Sequence, residues 1–305
     1  MLKYVVKRLG MSLLTLFLMI CVIFAMMHAI PGGPFTKDRS VSPAVAEALN
    51  AKYRLSDPVA VQFGNYIRDL ARGDLGISYN YKGMSINGFI SGGFPVSGKL
   101  GLVTIIFVLL TSIPMGIAAA LKNGRWQDMA VMAVATLGVT IPSFVIATLL
   151  MYVFSYRLNI LPTFGLASWK SYILPMVALG GYHLAFLARL TRSSLLEAMG
   201  QDYIRTARSK GISEVKTVLR HGMRNALIPV ITVLGPTMAN LITGSFVIES
   251  IFALPGLGVH FVSSISNRDY SAIMGLTIFY AAFLIAVVFL VDILYCLIDP
   301  RIRYD

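Results

Sequence analysis

The chain has 305 residues, of which 56% are hydrophobic and only 13% charged, about half the charged share of an ordinary soluble domain. Lipid is therefore its main solvent. The formal net charge of +12 would suit nucleic acid in a soluble protein, but here the basic residues border apolar runs, as topology signals do, which excludes nucleic acid as a partner. Two cysteines, Cys21 and Cys296, sit in apolar runs away from other thiols or histidines, so no disulfide framework or metal site is expected.

A helix needs about 20 apolar residues to cross the hydrocarbon core. Six segments qualify, at about 9–30, 100–121, 129–155, 172–190, 228–248 and 273–296. They must be helical, because lipid cannot satisfy unpaired backbone groups. The first is too long for a cleaved signal core and lacks a small-residue cleavage site, so it is expected to remain as a span. Asp and Glu are sparse in these runs, and mean hydropathy is +0.74. Pro114, Pro142, Pro175 and Pro236 are expected to kink their helices.

Orientation follows from the short loops. With the N-terminus inside, fifteen Lys and Arg residues fall on cytoplasmic pieces, against Arg157, Lys170 and Arg268 outside. The positive-inside rule then places both termini in the cytoplasm. Three parts result: a tail and first span over 1–30, an extracytoplasmic helical cap over 31–98, and a five-helix core over 99–305. In the cap, Ser42-Pro43 reads as a helix start running to about Arg54. A second amphipathic stretch carries Val61, Tyr66, Ile67 and Leu70, and Gly73-Asp74-Leu75-Gly76 breaks it.

Chemistry is sparse. Gly93-Phe-Pro-Val-Ser-Gly98-Lys99 imitates a phosphate-binding loop, but Leu100 stands where Ser or Thr is required, and no preceding strand is expected. HExxH, CxxC and GxSxG are missing. Ionisable residues inside spans reduce to His28, His183 and Asp292, which argues against ion coupling. This is not the pattern of an enzyme.

The loop joining the fourth and fifth spans, at about 192–227, is the most informative stretch. Asp202 is expected to cap a helix that runs to Gly211, a residue suited to the left-handed conformation at a helix end. Ser213 should cap a second helix with Glu214 in its first turn. Val215, Val218, Leu219 and Ala226 are expected on one face, with Lys216, Arg220 and Arg224 on another. From these residues alone, a helix lying on anionic lipid and a protein-docking helix are equally supported.

Tyr203-Ile-Arg-Thr-Ala-Arg-Ser-Lys-Gly211, then Arg220-His and Asn225-Ala-Leu-Ile-Pro229, resembles the docking loop of binding-protein-dependent ABC importer permeases of the peptide and nickel branch. Arg205-Thr206-Ala207 with Gly211 stands where that family's EAA-and-glycine motif lies, arginine replacing the glutamate as the peptide branch does. Pro31-Gly-Gly-Pro-Phe-Thr36, Lys52-Tyr-Arg-Leu-Ser-Asp-Pro58, Gly73-Asp-Leu-Gly76, Ile141-Pro-Ser-Phe144, Gly244-Ser-Phe-Val-Ile-Glu249, Leu254-Pro-Gly-Leu-Gly258 and Asn267-Arg-Asp-Tyr270 extend the resemblance over nearly the whole chain. It is similar to the B-type oligopeptide permeases in particular.

The resemblance implies an all-α integral membrane protein of the type I ABC importer permease kind, with six transmembrane helices, in a bacterial inner membrane. It implies a second, C-type permease subunit, two ATP-binding subunits and an extracytoplasmic peptide-binding protein, with oligopeptides as cargo. ATP and Mg would sit on the ATPases, and no cofactor on this chain. Docking would fall to Asp202, Tyr203, Arg205, Thr206, Ala207, Arg208, Lys210, Gly211, Lys216 and Arg220. Glu249, Pro255, Gly256, Gly258, Arg268 and Asp269 are candidates for an outer gate or binding-protein contact, and ordinary loop capping with a local Arg268–Asp269 ion pair is an equally supported reading.

Overall fold

A computed structural model describes residues 2–30, 47, 50–81, 83–165 and 168–298. Its elements are α1 (Leu2–Ala29), α2 (Val59–Ala71), α3 (Ile86–Leu121), α4 (Trp126–Thr140), α5 (Ser143–Leu150) with a π turn (Met151–Arg157), α6 (Ile173–Met199), α7 (Asp202–Ser209), α8 (Glu214–Lys216) with a π turn (Thr217–Gly222), α9 (Met223–Ile242), α10 (Phe246–Ile251), α11 (Leu257–Ser266) and α12 (Tyr270–Ile298). An isolated bridge between Ile77 and Ser85 is the β-structure among the described residues. The helix start expected at Ser42-Pro43 lies outside them.

Among the described residues, five helices are long and apolar enough to cross a membrane, and α4 with α5 and its π turn would make six if the pair, bent by 107° at its break, is one span. The break falls at Ile141-Pro142. Proline removes a backbone donor and biases the residue before it toward extended conformation, and Ile141 is extended at φ −84, ψ 124. The other three prolines do not end their helices. α3 and α9 continue through Pro114 and Pro236, and Pro175 lies in the first turn of α6, where the missing N–H has no helical partner to lose.

The second span begins earlier than the apolar run suggests. α3 starts at Ile86 and extends for 36 residues, so residues 86–98, expected in the cap, are its first turns. The imitation phosphate loop therefore lies inside a helix, whose amides bond their own carbonyls and cannot cradle an anion.

The described residues divide into two compact units, one built from Met1–Val96 and Pro255–Phe289, the other from Ser97–Leu254 and the described residues from Leu290 onward. In the first, Ile86, Phe89, Leu257, Ala272 and Leu276 form a buried core. Phe94 stacks edge-on to Phe279 and Phe283 at 5.2 and 5.0 Å between ring centres. α2 rests on the end of α1: Phe63 meets Phe24 edge-on at 5.1 Å. Gln62 faces His28 Nε2 at 3.1 Å and donates to the Leu55 and Asp57 carbonyls. Of the apolar face expected on α2, Tyr66, Ile67 and Leu70 are half-buried and Val61 is exposed.

The second unit packs helices through small residues, as membrane bundles do. A Cβ on Gly116 would lie 2.6 Å from Thr191 Cβ and 2.7 Å from the Ala188 carbonyl oxygen. That approach of α3 to α6 admits no larger residue. Val108, Leu187 and Val230 make one buried cluster and Ala120, Leu195, Ala198, Val218, Met223 and Ala226 another.

Candidate functional site

The second of those clusters is where the 192–227 loop is tied to the spans. It draws on the last turns of α3 and α6, the first turns of α9 and the π turn between α8 and α9. α7 adds its own buried stripe through Ile204 and Ala207, and its remaining residues are exposed.

The corner between α7 and α8 is a Schellman motif. Gly211 has φ +73, its N–H donates to the Arg208 carbonyl at 2.9 Å, and the Ile212 N–H donates to the Ala207 carbonyl at 3.3 Å. Left-handed backbone of this kind favours glycine. The helix boundaries shift slightly from expectation. Gln201 occupies the N-cap position and Asp202 is the first helical residue. Ser213 occupies the next N-cap position, yet its side chain makes no capping bond.

Across the corner, Arg208 reaches back to Glu214 with two bonds, Nε to Oε2 at 3.1 Å and Nη2 to Oε1 at 2.6 Å. Both side chains are about half exposed, which limits such a pair to about 0–1 kcal/mol, but its fork geometry fixes the angle between α7 and α8. Arg208 is therefore engaged within the loop. Arg205 lies 3.8 Å from Asp202 one turn away, both fully in solvent. Tyr203, Thr206, Lys210, Lys216 and Arg220 are exposed as well.

The π turn overturns the expected apolar face. It inserts one residue per turn, so the side chains that follow α8 rotate out of α-helical register. Val218 and Ala226 are buried, but Val215 is 70% exposed and Leu219 61% exposed. With Tyr203, they leave apolar surface open on a loop whose other exposed residues are largely charged. No periodicity rule applied to the sequence finds this, because the rule assumes 3.6 residues per turn.

A further connection was also illegible from spacing. Arg192, near the end of α6, donates from Nε to Asp128 Oδ1 at 2.5 Å and from Nη2 to Oδ2 at 2.7 Å, and Nη2 also reaches Asn123 at 2.9 Å. The Gly124 N–H donates to the same carboxylate. The α3–α4 turn and the root of the loop are thereby joined.

The six outer candidates divide by unit. Glu249, in the second unit, is fully buried in α10. In the first unit, Gly256 and Gly258 are buried, Pro255 is exposed, and Arg268 is half-buried with φ +54. Asp269 is fully buried and caps α12: its carboxylate accepts from the Ala272 N–H at 3.1 Å, from the Tyr79 and Asn80 N–H groups, and from the Ser78 hydroxyl. No Arg268–Asp269 ion pair forms among the described residues, since that carboxylate is already taken up. The buried members belong to the turns they sit in, and of the six only Pro255 and Arg268 present surface.

Among the described residues, no cluster of His, Cys, Asp or Glu could hold a metal ion. The arrangement is that of a multi-span helical membrane protein with a rigid loop coupled to several span ends. Residues 112–304 match the family described as binding-protein-dependent transport system inner membrane component. The chain belongs to that family and is a transport component, not an enzyme. It is 44% identical to the dipeptide transport system permease protein of Bacillus subtilis, over 99% of this chain and 98% of the relative. It is equally 44% identical to the oligopeptide transport system permease protein of Escherichia coli K12, over the full length of both. A crystal structure of an amino acid ABC transporter with histidines shares the fold, with a TM-score of 0.54 at 16% identity, over 68% of this chain and 92% of that one.

Proposed function

We propose that this chain forms half of the translocation path of an ABC importer for oligopeptides, with both termini in the cytoplasm. Its companions are a second, C-type permease, two ATP-binding subunits and an extracytoplasmic peptide-binding protein, and ATP and Mg belong to the ATPases. The observation that carries this reading is the loop of α7, Gly211 and the π turn, which presents Tyr203, Val215 and Leu219 outward while Val218, Met223 and Ala226 tie it to three spans. A force applied to the exposed residues reaches α3, α6 and α9 through close-packed side chains.

Val215→Asp and Leu219→Asp test it. Both positions are exposed, so the chain should still fold, while a charge on the docking surface should release the ATPases and abolish peptide uptake. Unimpaired co-purification and uptake would overturn the assignment. Oligopeptide cargo is supported by the relatives' names, and dipeptides have equal support at 44% identity. Competition of labelled uptake by dipeptides, pentapeptides and nickel chelates separates these cargoes.

A further inference from the structure

The first unit encloses a cavity of about 690 Å³ at the end of α1 and the start of α12, within the range of about 300–1,000 Å³ typical of small-molecule sites. Its lining changes character along the spans. Phe24 and Met27 of α1 and Met274 of α12 are set back within the apolar runs. Lys52 and Arg54 line it from the segment before α2, outside the spans.

Two polar groups in the lining lack partners. The Tyr66 and Tyr270 hydroxyls are buried and make no hydrogen bond among the described residues, and Tyr270 as a whole is 9% exposed. Buried hydroxyls are normally bonded. Burial pushes the Tyr66 phenol upward, so it stays protonated and able to donate. The acidic residues of the lining have partners within it: Asp69 lies 3.5 Å from Arg68, and Asp74 accepts from the Gly76 N–H. Among the described residues, no carboxylate pairs with Lys52 or Arg54.

We infer that this cavity is a binding site for an anionic glycerophospholipid of the outer leaflet. Its phosphate faces Lys52 and Arg54, its glycerol and ester oxygens accept from Tyr66 and Tyr270, and its upper acyl chains lie on Phe24, Met27 and Met274. The inference rests on the orientation proposed above, which puts this cavity at the outer membrane surface. An acyl chain covers the three apolar side chains, which water alone would leave wet. The phosphate supplies the charge complementary to the two cations, and the lipid oxygens satisfy the two phenols. Such a lipid would hold the cap segment against α1 and α12.

The test uses the assembled transporter in vesicles of phosphatidylglycerol or of phosphatidylcholine, each with a photoactivatable acyl-chain analogue placed in one leaflet. Phosphatidylglycerol in the outer leaflet is expected to label peptides containing Phe24, Met27 and Met274 roughly tenfold more than phosphatidylcholine does. Tyr66→Phe with Tyr270→Phe should lower that labelling roughly tenfold, and Lys52→Gln with Arg54→Asn should remove the preference between lipids. Equal labelling by both lipids, labelling confined to other peptides, protection by added cargo peptide, or no change in the double phenol variant would overturn the inference. The wild-type map needs no variant, so a misfolded mutant cannot conceal the result. Loss of ATPase docking in Val215→Asp leaves this labelling in place, whereas labelling from the inner leaflet alone would instead count against the proposed orientation.

Discussion

Arg192 holds Asp128 in a two-pronged ion pair, with the carboxylate side chain 6% exposed and the guanidinium side chain 23% exposed. Arg192 stands near the end of α6, and Asp128 in the first turn of α4. The pair is much less exposed than the one between Arg208 and Glu214, so screening reduces it less. Its role follows from position: the chain segment leading into the 192–227 loop cannot shift without drawing on the α3–α4 turn.

Removing one partner leaves the other desolvated without its counter-charge, a cost of about 3 kcal/mol at the lower end for buried pairs. Arg192→Ala and Asp128→Ala should each lower the thermal stability of the purified complex, and the double variant should lose less than the sum of the two. Strict additivity would show that the pair is not an energetic unit.

Gly211→Val places a β-branched residue at φ +73, a backbone region that costs such residues about 1–3 kcal/mol. The corner should open, α7 should lose its fixed angle to α8, and peptide-stimulated ATP hydrolysis should fall several-fold while membrane insertion is unchanged. Gly211→Asn, which tolerates left-handed backbone, should retain most of the coupling. Equal activity in both variants would remove the corner from the mechanism.

Asp269→Ala removes an N-cap and strands the buried Ser78 hydroxyl and the part-buried Tyr79 and Asn80 N–H groups. Cap loss alone costs about 0.5–2 kcal/mol. Hydrogen exchange should rise at residues 78–80 and in the first turn of α12, with no rise in α7. Protection unchanged at 78–80 would mean the carboxylate does not hold that segment.

Tyr79 offers a pH signature. Burial, then the Asp269 charge, then Tyr53 push its phenol up to about 12 from 10.0. The fold therefore favours the protonated phenol. That contribution is fully present below about pH 10 and is lost as the pH rises toward about 12. An ultraviolet titration of wild type against Tyr79→Phe should show the missing tyrosine ionising near 12, and an ordinary midpoint near 10 would contradict the buried placement.

Much was legible from residue order alone. The spans follow from hydropathy because lipid leaves backbone groups no partner outside a helix. Gly211 was placed at a helix end because left-handed backbone selects glycine, and it adopts positive φ. Pro142 was expected to disturb its span, and it does. Each of these effects is local: a residue and its near neighbours contain the whole cause.

What only the tertiary structure decided depends on partners distant in the chain. Asp269 read equally as part of an outer contact or as a loop cap paired with Arg268, and only the fold brought residues 78–80 against its oxygens. Val215, Val218, Leu219 and Ala226 read as one helix face, until the π turn at Thr217–Gly222 broke that register, burying Val218 while Val215 and Leu219 stayed exposed. Asp128 and Arg192 are separated by 64 positions, and no spacing rule joins them. Span positions and corner residues are set by interactions a few residues long, whereas the choice of side chain for each buried charge and each packed surface waits on which helices meet.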